Sequence, residues 1–186
     1  MSQRLFMDPN LVQSINLARI VREGGTAEAK GEIHGAIRLD GEQILLEAPA
    51  LWKVSVTSIG DGELWLSGEI AGKAVLECRR CLEAAPTLVR AHFHHMLRYQ
   101  PGAEGLEVKE ENEEEFVVFG HPDLDLSVFL SEAFAVELPL AALCKQDCQG
   151  LCPVCGANRN QTDCGHPLSQ EASKLAGLDK FLDEIK

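Results

Sequence analysis

The chain has 186 residues, of which 45% are hydrophobic, so it can bury a core and is not expected to be disordered. It carries 17 Lys and Arg against 29 Asp and Glu, and the formal net charge of −12 opposes binding a nucleic acid through bulk phosphate contacts. The N-terminal residues lack the pattern of a signal peptide, and no run of about 18 apolar residues could span a bilayer. These features predict a cytoplasmic protein with no membrane partner.

Residues 1–25 fit two local structures. Apolar residues recur at helical spacing between Leu11 and Val21, and the glycines that follow them favour the end of a short helix. The stretch SINLARIV within this segment fits a strand equally well, so a helix and a strand both stay open here.

Residues 27–100 have the pattern of β-strands. Short apolar runs such as QILLEAP, LWKVSVTSIG and ELWLSGEI are separated by Gly, Asp and Pro. Trp52, Val54, Val56 and Ser58 alternate with polar residues, which predicts that they share one face of a strand. The sequence GDGE at 60–63 is typical of a tight hairpin connection. We predict an antiparallel sheet that could close into a barrel-like form.

The next segment, residues 101–115, is predicted to be an acidic, solvated loop. Seven Glu lie between positions 104 and 115, with too few apolar residues to pack against the rest of the chain. A loop rich in carboxylates could bind Mg²⁺ or Ca²⁺, but the regular Asp and Gly pattern of a calcium-binding loop is missing.

Two helices are predicted in the last third of the chain. After a returning strand at 115–120, apolar residues at helical spacing predict a helix that starts near Asp125 and stops before Pro139. A C-terminal helix is predicted at 168–184, with Ser169 as its cap and a stripe of leucines on one face.

Seven cysteines and one histidine form the most informative pattern in the chain. An odd number of thiols cannot close completely into disulfides, and disulfides rarely persist in a reducing cytosol. The histidine two residues after the last cysteine raises the count to eight ligands, which is enough for two tetrahedral zinc sites. The predicted ligands of two Zn²⁺ ions are Cys78, Cys81, Cys144, Cys148, Cys152, Cys155, Cys164 and His166.

The spacing of these ligands favours one division into two sites. In CPVCG, Pro153 fixes a backbone angle and Gly156 accepts a left-handed conformation just after the turn, as in a zinc knuckle. We assign one site to Cys152, Cys155, Cys164 and His166. The other site takes Cys78, Cys81, Cys144 and Cys148, and would staple the sheet to the C-terminal module. A competing division joins Cys78 and Cys81 to Cys152 and Cys155, and leaves Cys144, Cys148, Cys164 and His166 as the second set.

Four protein ligands fill every coordination position of each predicted site. Such closed sites predict a structural role for the metal. Catalytic zinc keeps an open position, so we predict no catalytic residue and no small-molecule substrate. A thioredoxin-type redox pair needs its CxxC at a strand-to-helix junction, whereas CRRC lies between two predicted strands. A rubredoxin-like iron centre could use four thiolates, so a thiol or iron redox protein is the alternative function.

A second group of possible metal ligands is the histidine-rich stretch AHFHHM. His92 and His94 share a strand face, but no further ligand lies nearby in the sequence. We therefore expect His92, His94 and His95 to lie on an exposed polar face.

The predicted fold is a single α+β domain over residues 1–186. It is mainly antiparallel β-sheet, with a C-terminal zinc-knuckle module and flanking helices. Its parts are a β-rich region at about 27–100, the acidic loop at 101–115, a helix and zinc-binding module at about 125–166, and the C-terminal helix at 168–184.

The order of these motifs resembles one known family. CRRCLE, an acidic stretch, ELPLAALC, CQGLCPVCGANRN and a final Cys-x-His together resemble the bacterial YceD family, described as large-subunit ribosomal RNA accumulation proteins, which has relatives in plastids. The resemblance covers residues 45–166. The family usually has Leu at position 159 and Cys at position 166. His166 keeps a zinc ligand, whereas Arg159 costs a packing contact.

The resemblance implies a function and a set of partners. It implies a non-enzymatic factor for accumulation of the large-subunit (23S) rRNA, acting in its processing or in ribosome assembly. The implied partners are ribosome assembly components, such as a basic ribosomal protein or a large-subunit rRNA precursor. A net charge of −12 favours the basic protein, because opposite charges speed encounter.

Overall fold

The structure is a computed structural model that describes residues 13–39 and 41–166. In chain order its elements are β1 (Ser14–Asn16), α1 (Ala18–Glu23), β2 (Thr26–Ile33), β3 (Ala36–Leu39), β4 (Glu42–Gly60), β5 (Glu63–Glu77), β6 (Ala84–Tyr99), β7 (Leu106–Glu111), β8 (Glu114–Phe119), β9 (Asp123–Asp125) and α2 (Ser127–Val136). The first segment contains both alternatives, a short strand followed by a short helix. The predicted helix at 168–184 lies outside the described residues.

Most of the strands form one open, mainly antiparallel sheet. Its strand order is β2-β4-β5-β6-β8-β7, with β3 paired to β4 off this path. All neighbours are antiparallel except β6 and β8, which run parallel. Strands β1 and β9 form a separate two-stranded sheet. The sheet is mainly antiparallel as predicted, but it is not closed, so a barrel is not confirmed.

The central strands are longer than the sequence predicted. The separate runs on either side of Pro49 belong to one strand, β4, of 19 residues, and β5 and β6 have 15 and 16 residues. The pairing of β4 with β5 shifts register between Ala48 and Leu51, where Pro49 lies. A bulge accommodates proline because the bulged residue makes no ladder hydrogen bond. Pro49 therefore bends the strand without ending it.

The core lies between one face of this sheet and α2. Trp52, Val54 and Val56 are buried on that face, as their alternation predicted, and they belong to the same cluster as Phe129 and Phe134 of α2. The hairpin predicted at 60–63 is present, with Gly60 paired to Glu63. On the opposite face of β4, β5 and β6, side chains such as Lys53, Trp65 and His92 are exposed.

The acidic segment is a β-hairpin, so the prediction of a solvated loop over 101–115 was wrong. Strand β7 pairs antiparallel with β8 through a turn in which Asn112 and Glu113 both have positive φ, of 54° and 67°. Both central residues of a type I′ turn have positive φ, and such turns suit hairpins. The four apolar residues that end β8 are buried, and they anchor β7, whose Glu side chains face water.

Helix α2 lies where the sequence placed it. Asp125 precedes it and accepts a hydrogen bond from the backbone N–H of Ser127 at 2.8 Å, and the helix ends at Val136, before Pro139. Among the described residues, neither helix is long and apolar enough to cross a membrane.

Candidate metal centres

The first candidate centre is built on the turn that joins β5 to β6. Cys78 and Cys81 lie in this turn and are buried. The backbone N–H of Cys78 donates to the carbonyl of Glu83, and that of Leu82 donates to the carbonyl of Cys78, both at 2.8 Å. Leu82 has a φ of 65°, so the turn closes tightly and aims both sulfurs to the same side.

The segment after α2 brings the other two sulfurs to this turn. Arg79 N–H donates to the carbonyl of Ala142 at 3.0 Å, which ties the two segments together. The Sγ atoms of Cys78 and Cys148 are 3.8 Å apart, and those of Cys81 and Cys144 are 3.5 Å apart. All of these cysteines are free, and the four sulfurs lie within 4.8 Å of one another. We call Cys78, Cys81, Cys144 and Cys148 the first cluster.

The second cluster consists of Cys152, Cys155, Cys164 and His166. Their ligand atoms also lie within 4.8 Å of one another. Gly156 has a φ of 72° just after the CxxC turn, which is the left-handed conformation that the sequence predicted for it. Gly165 has a φ of 66° and separates the last two ligands. Each pair of ligands therefore lies at a turn that contains a glycine in the left-handed conformation.

The two knuckles use the same backbone hydrogen bonds to sulfur. The Sγ of the first cysteine in each CxxC accepts from the N–H groups two and three residues later, which are Arg80 and Cys81 in one knuckle and Val154 and Cys155 in the other. The second cysteine accepts from the N–H two residues later, that of Glu83 or Ala157. Such N–H donors stabilise a thiolate, which is the form that binds a metal.

These donors lower the pKa of the first cysteine in each CxxC knuckle. Burial alone would raise the pKa of Cys78, but the N–H groups around its sulfur lower it to about 6. In the second cluster the N–H groups of Cys155 and Val154 lower the pKa of Cys152 to about 6. Burial and the neighbouring thiols instead raise the pKa of Cys144 to about 12. Thiols this close cannot all ionise unless a cation joins them, because the thiolates repel one another. A bound metal ion would offset this repulsion.

The donor set fits a divalent ion that prefers sulfur and nitrogen. In the second cluster, Nδ1 of His166 is buried and has no hydrogen-bond partner among residues 13–39 and 41–166. A buried, unpaired imidazole nitrogen costs free energy unless something else binds it, and three sulfurs lie next to this ring. Four sulfurs in one cluster, and three sulfurs with one imidazole in the other, are the sets that zinc takes in structural sites.

Side chains outside the two predicted sets connect the clusters. Asn160, in the loop of the second cluster, donates its side-chain N–H to Sγ of Cys148 at 3.3 Å. Glu83, after the first CxxC, accepts from the side chains of Asn158 and Gln161 at 3.3 and 3.2 Å. Neither Asn160 nor Glu83 was predicted as a site residue, although they end the motifs CQGLCPVCGANRN and CRRCLE, because they act only through contacts made in the folded chain.

The structure brings the eight predicted ligands together in the division that the spacing favoured. It does not place Cys78 and Cys81 beside Cys152 and Cys155, as the competing division required. CRRC lies between two strands and not at a strand-to-helix junction. Arg159 is half-buried, and within the part of the chain that the structure describes, the buried Nη1 of its guanidinium has no hydrogen-bond partner.

The histidine stretch on β6 is divided between the two faces of the sheet. His92 and His94 are exposed, as expected. His95 differs from the prediction, since it is half-buried and its ring lies 5.0 Å from that of Phe129. Alternation along β6 turns it towards the core side, where α2 covers it.

Comparisons with known proteins agree with this reading. The family model described as large ribosomal RNA subunit accumulation protein YceD matches residues 66–182. An uncharacterized protein of Mycobacterium bovis is 32% identical over 183 residues, which are 97% of this chain and 85% of that protein. A chloroplastic protein of Zea mays, named large ribosomal RNA subunit accumulation protein YCED homolog 1, is 29% identical over 169 residues, covering 76% of this chain and 57% of that protein. No solved structure matches the chain. With a matched region that includes both clusters, the chain belongs to the YceD family.

Proposed function

We propose that this protein is a non-enzymatic factor for accumulation of the large-subunit (23S) rRNA, acting in its processing or in ribosome assembly, with two structural zinc ions. The family description supports the rRNA role. The proposal of two metal ions rests on the two clusters of four ligands, each with its ligand atoms within 4.8 Å of one another. Such sets leave no open position for a substrate, which favours scaffolding over catalysis.

Each ion would connect different parts of the chain. Cys78 and Cys81 would hold the first ion on the β5–β6 turn, and Cys144 and Cys148 would hold it on the segment after α2. The second ion would close the loop between Cys152 and His166. Zinc supplies a positive charge that keeps the thiolates together and performs no redox step. The whole chain, residues 1–186, would then act as one domain.

The partners would be components of the assembling large subunit in the cytoplasm. A net charge of −12 supports a basic ribosomal protein over direct contact with an rRNA precursor, because phosphates would be repelled. Loss of the protein from cells should lower large-subunit rRNA relative to small-subunit rRNA. Normal rRNA levels and subunit profiles in such cells would contradict the proposed function.

Elemental analysis of tag-free protein purified without chelator tests this proposal, because it measures the metal content per chain. We expect about two zinc ions per chain, one for each set of four ligands. The variant Cys155→Ser should keep one of them, and the variant Leu140→Ala, which changes an exposed side chain near the first cluster, should keep both. One ion or none in the unaltered protein would contradict the proposal.

An iron centre is the alternative for the first cluster. Four sulfurs within 4.8 Å of one another suit iron as well as zinc, and a rubredoxin-like protein would be coloured. Visible absorbance and iron in the purified protein would favour a redox function. A colourless protein that contains zinc would favour the structural one.

A further inference from the structure

Strand β6 has an open edge along most of its length. It pairs with β5 from residue 84 to residue 98, but with β8 only from Leu97 to Tyr99. Among the described residues, no strand and no other backbone group is bonded to the β8 side of residues 86–95. We call this stretch the open edge of β6.

The backbone groups of the open edge can be assigned from the two hydrogen bonds that end the strand. Tyr99 N–H donates towards β5, to the carbonyl of Gly62, whereas Gln100 N–H donates towards β8, to the carbonyl of Phe119. The register with β5 has no shift, so this alternation continues along β6. The N–H and C=O groups of residues 88, 90, 92 and 94 therefore point to the open edge.

Apart from Pro86 at its start, this edge lacks the features that normally protect a sheet edge. Natural edges are blunted by charged side chains, Pro, bulges or short length. The outer strand β7 has six residues, and four of them are charged. The outer strand β2 carries Glu28, Lys30 and Glu32. Residues 87–96 have no Pro, no Gly and no bulge, and Arg90 is their one Lys, Arg, Asp or Glu. A long unprotected edge is a template for another strand.

The surroundings of the edge favour a basic partner. Where β6 and β8 separate, a cleft of about 500 Å³ opens, and Trp65, Met96, Phe116 and the carboxylate side chains of Glu114 and Glu115 line it. On the core side, the ring of His95 lies 5.0 Å from that of Phe129, and Glu132 is exposed about one turn further along the same helix, α2. An incoming chain would meet backbone donors and acceptors, an aromatic wall and three carboxylates.

We propose that the open edge of β6 binds an extended segment of a basic protein, which adds a strand to the sheet. Backbone hydrogen bonds to residues 88, 90, 92 and 94 would supply the affinity. Lys or Arg side chains of the segment would pair with Glu114, Glu115 and Glu132. Pairing with a second copy is disfavoured, because each chain carries a net charge of −12. The inference rests on the proposed function in taking a basic assembly component as the partner.

The test uses the zinc-loaded full chain, a synthetic peptide of alternating Lys and Val, and the same peptide with all of its backbone nitrogens methylated, so that neither of its edges can donate hydrogen bonds. Before peptide is added, the amides of Arg90, His92 and His94 should exchange with solvent faster than those of Ala91 and Phe93, which are bonded to β5. The unmethylated peptide should protect the fast amides. The methylated peptide, which has the same charge but cannot pair along that edge, should bind about tenfold more weakly, as expected for losing one or two hydrogen bonds.

A pair of variants checks the same contact from the protein side. His92→Pro removes one N–H from the open edge and leaves the pairing with β5 intact, since edge strands tolerate proline where the N–H faces outwards. His92→Ala removes the same side chain and keeps the N–H. We expect His92→Pro to weaken peptide binding about tenfold and His92→Ala to leave it within about twofold.

Several outcomes would overturn the inference. Slow exchange of the edge amides in the free protein would mean that the chain itself or a second copy already covers the edge. Equal binding of the two peptides would mean that only charge is recognised. Protection by a single-stranded RNA but not by the peptide would assign the edge to nucleic acid. If the peptides fail while cells lacking the protein still lose large-subunit rRNA, the edge inference falls and the proposed function stands.

Discussion

Asn160 belongs to the loop of the second cluster but bonds to a sulfur of the first. Its side-chain N–H lies 3.3 Å from Sγ of Cys148, and its side-chain carbonyl accepts from the N–H of Gln149. Burial alone would raise the pKa of Cys148, but the bond from Asn160 helps to lower it. Asn160 therefore stabilises the thiolate that the first ion would bind.

We predict that Asn160→Ala weakens zinc binding at the first cluster by about tenfold to a hundredfold, the usual cost of losing a hydrogen bond to a metal ligand. Competition with a chromogenic chelator measures this affinity. Gln161→Ala is the matched control, because it removes a neighbouring amide that contacts Glu83 and no sulfur. Equal zinc release from both variants would contradict the prediction.

His95 couples the stability of the core to pH. Burial against Phe129 lowers its pKa below the ordinary value of 6.5. The unfolded chain therefore takes up a proton at this position before the folded chain does. The contribution of His95 to stability is complete above about pH 6.5 and is lost as the pH falls from there through the folded pKa.

We predict that His95→Gln makes the urea midpoint less sensitive to pH below 6.5 than it is in the unaltered protein. Unfolding curves at several pH values, with zinc content measured at each, separate this effect from loss of metal. If the free energy of unfolding changes between pH 7.5 and pH 5.5 by the same amount in both proteins, to within about 0.1 kcal/mol, His95 does not contribute.

Local alternation of apolar and polar residues predicted which strand face is buried, and local turn residues predicted the hairpin at 60–63. They did not predict the lengths of the strands. The period-two pattern at Trp52, Val54 and Val56 identified the buried face correctly. The β7–β8 hairpin was missed because its six Glu dominate the composition, while its stability comes from long-range packing of Phe116–Phe119. Arg98 adds to this from β6, since it donates to Glu63 at 2.8 Å and to Glu111 at 2.9 Å. None of these contacts is local in the sequence.

The candidate centres were more predictable than the sheet. Ligand type and CxxC spacing are local properties, and they led to the same two sets that the structure brings together. The contacts of Asn160 and Glu83 were not predictable, because they join residues that are more than ten positions apart and only meet once the module is folded.

Close packing of β4 against β5 depends on Gly72. A Cβ at this position would lie 2.6 Å from Cβ of Ala50 and 3.3 Å from the ring of Phe134. We predict that Gly72→Ala lowers the free energy of unfolding by about 1–3 kcal/mol, the usual cost of overpacking a core. Urea unfolding followed by the fluorescence of buried Trp52 measures it. Adding Ala50→Gly to this variant should restore part of the loss, and no restoration would show that backbone strain, not the clash with Ala50, is responsible.

The sheet and the C-terminal module, residues 142–166, differ in what stabilises them. The sheet and α2 share one large apolar core, whereas the buried residues around the first cluster are Cys78, Cys81, Ala85, Ala142 and Cys148. Three of these five are proposed ligands, so, as far as the described residues go, the module has almost no apolar core of its own. A segment that cannot bury enough apolar surface needs a metal or another cross-link.

Metal removal should therefore unfold the module and spare the sheet. We predict that a chelator raises amide exchange across residues 142–166 to nearly the rate of an unfolded chain, while the exchange of β4 and β5 and the fluorescence of Trp52 change little. Hydrogen exchange followed by mass spectrometry measures both regions in one experiment. Cys155→Ser gives an internal control, because it removes a ligand of the second cluster alone and should increase exchange at 152–166 more than at 142–148. Simultaneous loss of protection in the sheet would mean that the first ion stabilises the whole fold, and that the β5–β6 turn cannot hold its shape without it.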